Sequence, residues 1–273
     1  MRLGCHIPFN GFYNTLLDAT SLGFSTFQIF IRNNRSLKAR DYSDADIELF
    51  NSKIGVDIDA FVVHASYALN PASGYDNIRE KTMRIIRSDM LVLNKLKGEK
   101  YYVLHPGAST DFSDREALDT LIKTLHELAD CYGHVKIAVE FMSGQGTQLI
   151  KDLEQLAYLL LNCDDIPQFC VCLDTAHMFS AGFDFDKVLA IFNVLNMNHR
   201  LGPVHINGSA KPFGSRVDRH SNLFDGCLPV DTIHSFIDKL YSVKHDCVLI
   251  LETPSERQLL DFTYLSSEHI FCK

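Results

Sequence analysis

Six residues of metal-binding type each close a short apolar run: His64 in FVVHAS, His105 in YVLHPG, Glu140 in IAVEF, Asp174 in VCLDTAH, His205 in PVHING and Glu252 in LILETP. Successive members lie one strand-plus-helix unit apart, and the last gap is widened by an insertion at 208–224. Imidazole and carboxylate side chains together hold divalent cations, and a set without thiolate suits a catalytic rather than a structural zinc. Three further candidates join them. His177 follows Asp174 by one helical turn, and Asp218 and His220 flank Arg219 in a D-R-H tripeptide. Alternate residues of an extended segment point to one side, so Asp218 and His220 can face one ion. Five histidines and four carboxylates match three zinc-like ions with three or four protein ligands each, one carboxylate bridging. Ions a few ångströms apart suit displacement at phosphorus, activating water and stabilising the leaving oxygen.

These side chains can act together only if the chain carries the ends of its strands to one place. Eight β-branched or aromatic runs recur, at Arg2–Ile7, Phe24–Ile31, Ala60–Ala65, Tyr101–His105, Lys136–Phe141, Phe169–Asp174, Pro203–Asn207 and Cys247–Glu252. Between them lie segments of helical period, clearest at Lys81–Leu96, Ser113–Tyr132, Leu149–Leu161, Asp186–Leu195 and Val230–Tyr241. Such alternation permits a closed (β/α)8 barrel or an open doubly wound sheet. The count of eight and the lack of a G-x-G-x-x-G turn after the first run predict the barrel, as one domain over residues 1–273. Neighbouring strand ends then form one rim, with the metal site at the C-terminal face. Singly, each residue has a plainer reading: Asp174 suits a helix N-cap, and Glu252-Thr253-Pro254 could merely end a strand. Six in succession at the same end of successive strands do not.

The chain has 273 residues, 46% hydrophobic and 22% charged, which excludes a disordered polymer. No apolar run approaches the roughly 18 residues of a membrane span, and the amino terminus does not read as a signal peptide. An intracellular protein is expected, in cytoplasm or nucleus. The eight cysteines lack C-x-x-C spacing, and several sit in apolar runs as small buried hydrophobes, so no disulfide staples are expected. The net charge of −8 argues against a general nucleic-acid binder. Two segments depart from it. Residues 30–40 hold Arg32, Arg35, Lys38 and Arg40 with no acid, and residues 208–224 hold Lys211, Arg216 and Arg219 against Asp218. In a barrel both follow strands and belong to the metal-bearing rim.

Certain motifs are specific: VLHPG around His105, E-x-x-x-G-Q-G from Glu140 to Gly146, C-x-D-T-x-H-x-F-x-A-G-F-D from Cys172 to Asp184, and H-I-N-G-S-A-K-x-F-G-S-R-x-D-R-H from His205 to His220. Through these, from Gly4-Cys5-His6 to Glu252-Thr253-Pro254, the chain resembles the endonuclease IV family of apurinic/apyrimidinic (AP) endonucleases. The resemblance implies three Zn²⁺ ions, and the same nitrogen and oxygen ligands also accept Mn²⁺. His64, His105 and Glu140 would hold the first ion. Glu140 would bridge to the second, completed by Asp174, His205 and Glu252, and His177, Asp218 and His220 would hold the third. The implied catalytic residues are Glu140 and Glu252, with Glu252 orienting a hydroxide nucleophile.

The implied reaction is hydrolysis of the DNA phosphodiester 5′ to an abasic site, giving a 3′-OH and a 5′-deoxyribose phosphate, with trimming of blocked 3′ ends as a companion activity. The partner would be double-stranded DNA carrying abasic sites or blocked 3′ ends, bound by a monomer. Arg32, Arg35, Lys38, Arg216 and Arg219 would meet phosphates, and Arg35, Ser36, Tyr67 and Ala68 occupy the positions of the family's inserted side chains. Ser36 and Ala68 are smaller than the Gln and Leu often found there. Leu37 replaces a common Trp, and Gly208 stands where the family often has Asp. The residues by themselves leave two alternatives open, a sugar isomerase or epimerase on the related metal-binding barrel and a damage-binding protein without catalysis. Gly144-Gln145-Gly146 is open between a phosphate-binding turn and a plain turn, and His6 is read as a support rather than a ligand.

Overall fold

The computed structural model describes residues 1–268. Eight parallel strands surround the centre: β1 (Arg2–Cys5), β2 (Gln28–Ile29), β3 (Ala60–His64), β4 (Glu99–Leu104), β5 (Lys136–Glu140), β6 (Phe169–Asp174), β7 (Leu201–His205) and β10 (Val248–Leu251). Hydrogen-bonded neighbours run β1-β10-β7-β6-β5-β4-β3-β2. The remaining gap, between β1 and β2, is closed by a parallel bridge from His6 to Gln28 and by the Ile7 amide donating to Gln28 O at 2.9 Å. The strands pass so close there that a Cβ on Gly4 would lie 1.8 Å from Thr26 O, which explains a glycine inside β1. This is the expected (β/α)8 barrel. The expected single domain over 1–273 extends five residues beyond those described, and Cys272 lies outside them.

Alternation along the strands separates two cores. Outward residues pack under the helices, and inward Ala60, Val62, Tyr101, Val103, Ala138, Cys170, Cys172, Val248 and Ile250 form a second buried cluster that fills the barrel. Each buried Val or Ile contributes roughly 1.5–3 kcal/mol relative to exposure, so the strands that carry the rim are held firmly. Below this layer Arg2 bonds Asp59, and Lys136 and the Tyr101 hydroxyl both donate to Glu99, closing the N-terminal end with charge.

The expected helices appear as α3 (Asp76–Leu93), α4 (Asp114–Leu128), α5 (Leu153–Cys163), α7 (Phe185–Val194) and α8 (Val230–Val243). Ser113 and Glu116 form the capping box that opens α4. Four more helices are present: α1 (Phe12–Ser21), α2 (Asp44–Lys53), α6 (Thr175–Ala181) and α9 (Gln258–Glu268). The insertion after β7 is a hairpin, with β8 (Gly208–Ser209) antiparallel to β9 (His220–Ser221). Strand β2 is two residues long, far shorter than the run 24–31, because pairing with β3 spans only Gln28 and Ile29. The seven described cysteines are free thiols, and no described helix is long and apolar enough to cross a membrane.

Candidate metal centre

Inward alternation continues past the apolar layer into a ring of polar residues at the C-terminal rim. His64, Glu140, Asp174 and His205 are the last residues of β3, β5, β6 and β7, and His105 and Glu252 directly follow β4 and β10. Glu140 is central. Its Oε2 lies 3.4 Å from His64 Nε2 and 3.2 Å from His105 Nε2, and its Oε1 lies 3.1 Å from His205 Nδ1. His205 Nδ1 is also 3.2 Å from Glu252 Oε2 and 3.7 Å from Asp174 Oδ2.

The remaining three ligand candidates arrive from α6 and the hairpin. Asp174 caps α6 by accepting from the His177 amide, which sets His177 one turn into the helix. Its ring Nδ1 faces Phe141 O at 3.0 Å, leaving Nε2 toward Asp218 Oδ2 at 3.2 Å. The β8–β9 ladder pairs His220 with Ser209 and brings His220 Nε2 within 3.3 Å of Asp218 Oδ1 and 3.7 Å of Asp174 Oδ2. Gln145 holds the hairpin from the facing loop, its side-chain Oε1 accepting from the Asp218 amide at 2.9 Å. The G-Q-G turn is thus a latch for the D-R-H segment.

Among the described residues, ligand atoms fall into four groups within 4.8 Å of one another: His64, His105 and Glu140; Glu140, Asp174, His205 and Glu252; Asp174, His177 and His220, where Asp174 takes the place expected for Asp218; and Glu140, Cys172 and His205. The first two groups share Glu140 and contain the residues of the two sets expected there, whereas Asp218 joins His177 and His220 only pairwise, at 3.2 and 3.3 Å. Glu140 Oε2, His177 Nε2 and His220 Nε2 are buried and have no hydrogen-bond partner. A buried polar atom left unpaired costs free energy, and three aimed at their neighbours mark places where a cation would satisfy them. The donor set and these orphaned atoms fit divalent ions.

Electrostatics agree. Burial works to raise the Glu140 carboxyl, yet the surrounding histidines His205 and His105 hold it well below the ordinary range. Asp218 is likewise opposed by burial and depressed by its contacts with His177 and His220. Burial would lower His177, but Asp174, Asp218 and Glu140 carry it well above its ordinary value. A proton here stands in for positive charge that a metal would bring.

The cavity above these groups measures about 430 Å³ and is lined in part by Tyr67, Gln148 and Arg219. Tyr67 stacks on His105, centroids 5.0 Å apart at 30°, with its other edge near Phe30. The loop after β3 is tied to the loop after β2, the Tyr67 amide donating to Asn34 O and the Ser66 hydroxyl bonding Asn34 O and Ser36 O. Arg35, Ser36, Tyr67 and Ala68 are therefore brought to one exposed edge beside the cavity. Arg216 and Arg219 lie on the hairpin, both exposed, and Lys38 lines an adjoining pocket with Asn33 and Arg40.

Arg32 differs from the other basic residues expected to meet phosphate: it is buried, and its guanidinium donates to Asp89 at 2.6 Å, to Leu37 O and to Ser88, which anchors the loop from beneath. Two buried residues were not foreseen. Gln28 touches His6, His205 and Glu252, and Asn207 donates to Asp174 Oδ2 at 2.8 Å while accepting from the Glu252 amide. Both are polar residues within or directly after apolar runs, the signal that exposed the ligands, but amides lack the metal-ligand chemistry that drew attention to the others.

Residues 16–268 match the family model described as the xylose isomerase-like TIM barrel. The chain is 30% identical over 262 residues to the probable endonuclease 4 of Finegoldia magna, covering 93% of this chain and 92% of that one. In structure it superposes on endonuclease IV from Thermus thermophilus with a TM-score of 0.79 and 28% identity, over 98% of this chain and 100% of that one. A D-tagatose 3-epimerase-like protein shares the fold, with a TM-score of 0.75 and 22% identity over 98% and 96% of the two chains.

Proposed function

The chain belongs to the endonuclease IV family within the xylose isomerase-like TIM barrels, and from that premise we propose that it is a metal-dependent AP endonuclease of base excision repair. It hydrolyses the DNA phosphodiester 5′ to an abasic site, leaving a 3′-OH and a 5′-deoxyribose phosphate, and also trims blocked 3′ ends. The observation that carries this reading is the Asp218–His220 pair beside His177 and Asp174, which adds a third ligand group to the two built around Glu140. A sugar epimerase working with one or two ions has no need of it.

Three zinc ions are proposed, with Mn²⁺ able to replace one or more, held by the nine residues in the sets given above. Ions bound there would supply Lewis acidity, bringing water toward deprotonation at neutral pH and drawing charge from the phosphate. Glu252 stands at the edge of the second group, where its carboxylate can orient the attacking water. Arg35, Lys38, Arg216 and Arg219 offer the backbone positive charge, which fixes register on the duplex without reading sequence. Tyr67, with Arg35, Ser36 and Ala68 beside it, meets the gap left by an extruded abasic sugar, which has no base to unstack. The protein acts as a monomeric single-domain enzyme inside the cell, in cytoplasm or nucleus.

The test is incubation of the zinc-loaded protein with a labelled duplex bearing one tetrahydrofuran abasic analogue, which cannot undergo β-elimination. The reading predicts a single nick 5′ to the analogue, with a 3′ end that a polymerase extends. An intact duplex together with turnover of a ketose would replace it with the epimerase.

A further inference from the structure

The ring of rim residues has two members beyond the six expected from the strand ends. His6 and Gln28 sit where β1 and β2 meet, and their bridge closes the barrel at the level of the metal ligands. Gln28 is wholly buried, and its carboxamide spans three side chains. Its Nε2 lies 2.5 Å from Glu252 Oε1 and 3.0 Å from His6 Nδ1, and its Oε1 lies 2.9 Å from His205 Nε2.

The chemistry of these partners fixes the orientation of the amide. An ionised carboxylate only accepts, so the NH₂ group must face Glu252, and its second hydrogen goes to His6 Nδ1. The carbonyl then faces His205, whose Nε2 must carry a hydrogen to donate. A neutral imidazole with its hydrogen on Nε2 has its lone pair on Nδ1. That atom is the one within 3.7 Å of Glu140, Glu252 and Asp174. His64 is arranged the other way, with Nδ1 beside the Ala65 carbonyl and Nε2 toward Glu140.

We propose that Gln28 is a positioning residue for the second ion: it holds His205 in the Nε2–H tautomer so that Nδ1 is the ligand atom, and it fixes Glu252 through Oε1 so that Oε2 faces the ion. This rests on the metal-centre reading above. Partners of this kind around a ligating histidine set ring orientation and basicity, and their removal typically lowers metal affinity about 10–100-fold. The role is distinct from ligation, because an amide engaged on all sides has no atom left for an ion.

The experiment uses the full chain carrying ¹⁵N-labelled histidine, as wild type, Gln28→Met and Gln28→Glu. Long-range ¹H–¹⁵N spectra read the His205 ring nitrogens with and without zinc, and chelator competition reads the zinc affinity. In wild type, zinc should shift His205 Nδ1 and leave Nε2 protonated. Gln28→Met fills the same space without either hydrogen bond and should weaken zinc binding about 10–100-fold at one site, with a mixture of His205 tautomers. Gln28→Glu keeps the acceptor for His205 but opposes Glu252, so it should retain the tautomer while still losing affinity. It also carries the test if Gln28→Met does not fold. A His205 Nδ1 that ignores zinc in wild type would overturn the metal-centre reading and this proposal together. A normal wild-type shift, with unchanged tautomer and affinity in the variants, would overturn the role of Gln28 alone.

Discussion

One oxygen of Asp174 accepts a hydrogen bond from the His177 backbone amide at 2.9 Å, so the residue that starts helix α6 is also the one that faces the ligand cluster. Capping and ligation use different oxygens, since Oδ2 is the atom near His205 and His220. Asp174→Ser keeps an N-capping side chain and removes the second oxygen, whereas Asp174→Ala removes both. Both metal-free variants lose the Oδ2 contact with Asn207, and the Ala variant should be about 1 kcal/mol less stable than the Ser variant in urea unfolding. Both should bind less zinc. Equal destabilisation of the two would deny the capping role.

Protonation gives the metal-free protein a distinctive pH profile. His177 and His205 are raised well above their ordinary values despite burial, so the stability they contribute is fully present below about pH 6.5 and is lost as pH rises through their shifted values. Glu140 and Asp218 are depressed, so their contribution is present above about pH 4 and is lost as pH falls. Metal-free protein should therefore melt highest between about pH 4.5 and 6.5. Zinc displaces the histidine protons, so its stabilising effect should grow as pH rises toward 8. A zinc-induced gain in melting temperature that shrinks over that range would contradict the site.

Arg32 and Arg35 are predicted to fail in different ways. Arg32→Ala leaves Asp89 buried, with Tyr102 still donating to it but without its cation, and should cost about 3–5 kcal/mol in urea unfolding. Arg35→Ala removes a charge at the surface and should leave stability within about 0.5 kcal/mol. It should weaken duplex binding and reduce the salt slope of log K by about one. An unchanged slope would remove Arg35 from the phosphate contacts.

Gly208 has no room for a side chain between the hairpin strands. A Cβ there would lie 2.6 Å from Asn222 O and 2.7 Å from Ser221 Oγ. Gly208→Asp, which restores the acid common in the family, should disrupt the pairing of Ser209 with His220 and lower zinc occupancy from about three ions to about two, as read by elemental analysis. Full occupancy would show that the hairpin can yield.

The barrel and the cluster of histidines and carboxylates at its rim were legible because strand alternation and side-chain chemistry both leave local marks. A polar residue ending an apolar run is visible at His64 or Glu140 without any tertiary knowledge. Helix α1 left no such mark. Its side-chain cap comes from Asp46 in α2, which accepts from the Phe12 and Tyr13 amides. The burial of Arg32 was hidden for the same reason, since a basic run shows charge but not that Asp89, on a distant helix, takes one member inside. Gln28 and Asn207 were silent because an amide has no metal-ligand chemistry of its own, and only the folded geometry shows which side chains they contact.

The most direct test compares wild type with Glu252→Gln on the tetrahydrofuran duplex, with duplex affinity and bound zinc measured on the same samples. The account predicts incision by wild type with about three zinc ions per chain, and at least about a hundredfold slower incision by the variant at similar duplex affinity. Incision by Glu252→Gln at the wild-type rate would contradict the assignment of Glu252 and the hydrolytic centre built around it.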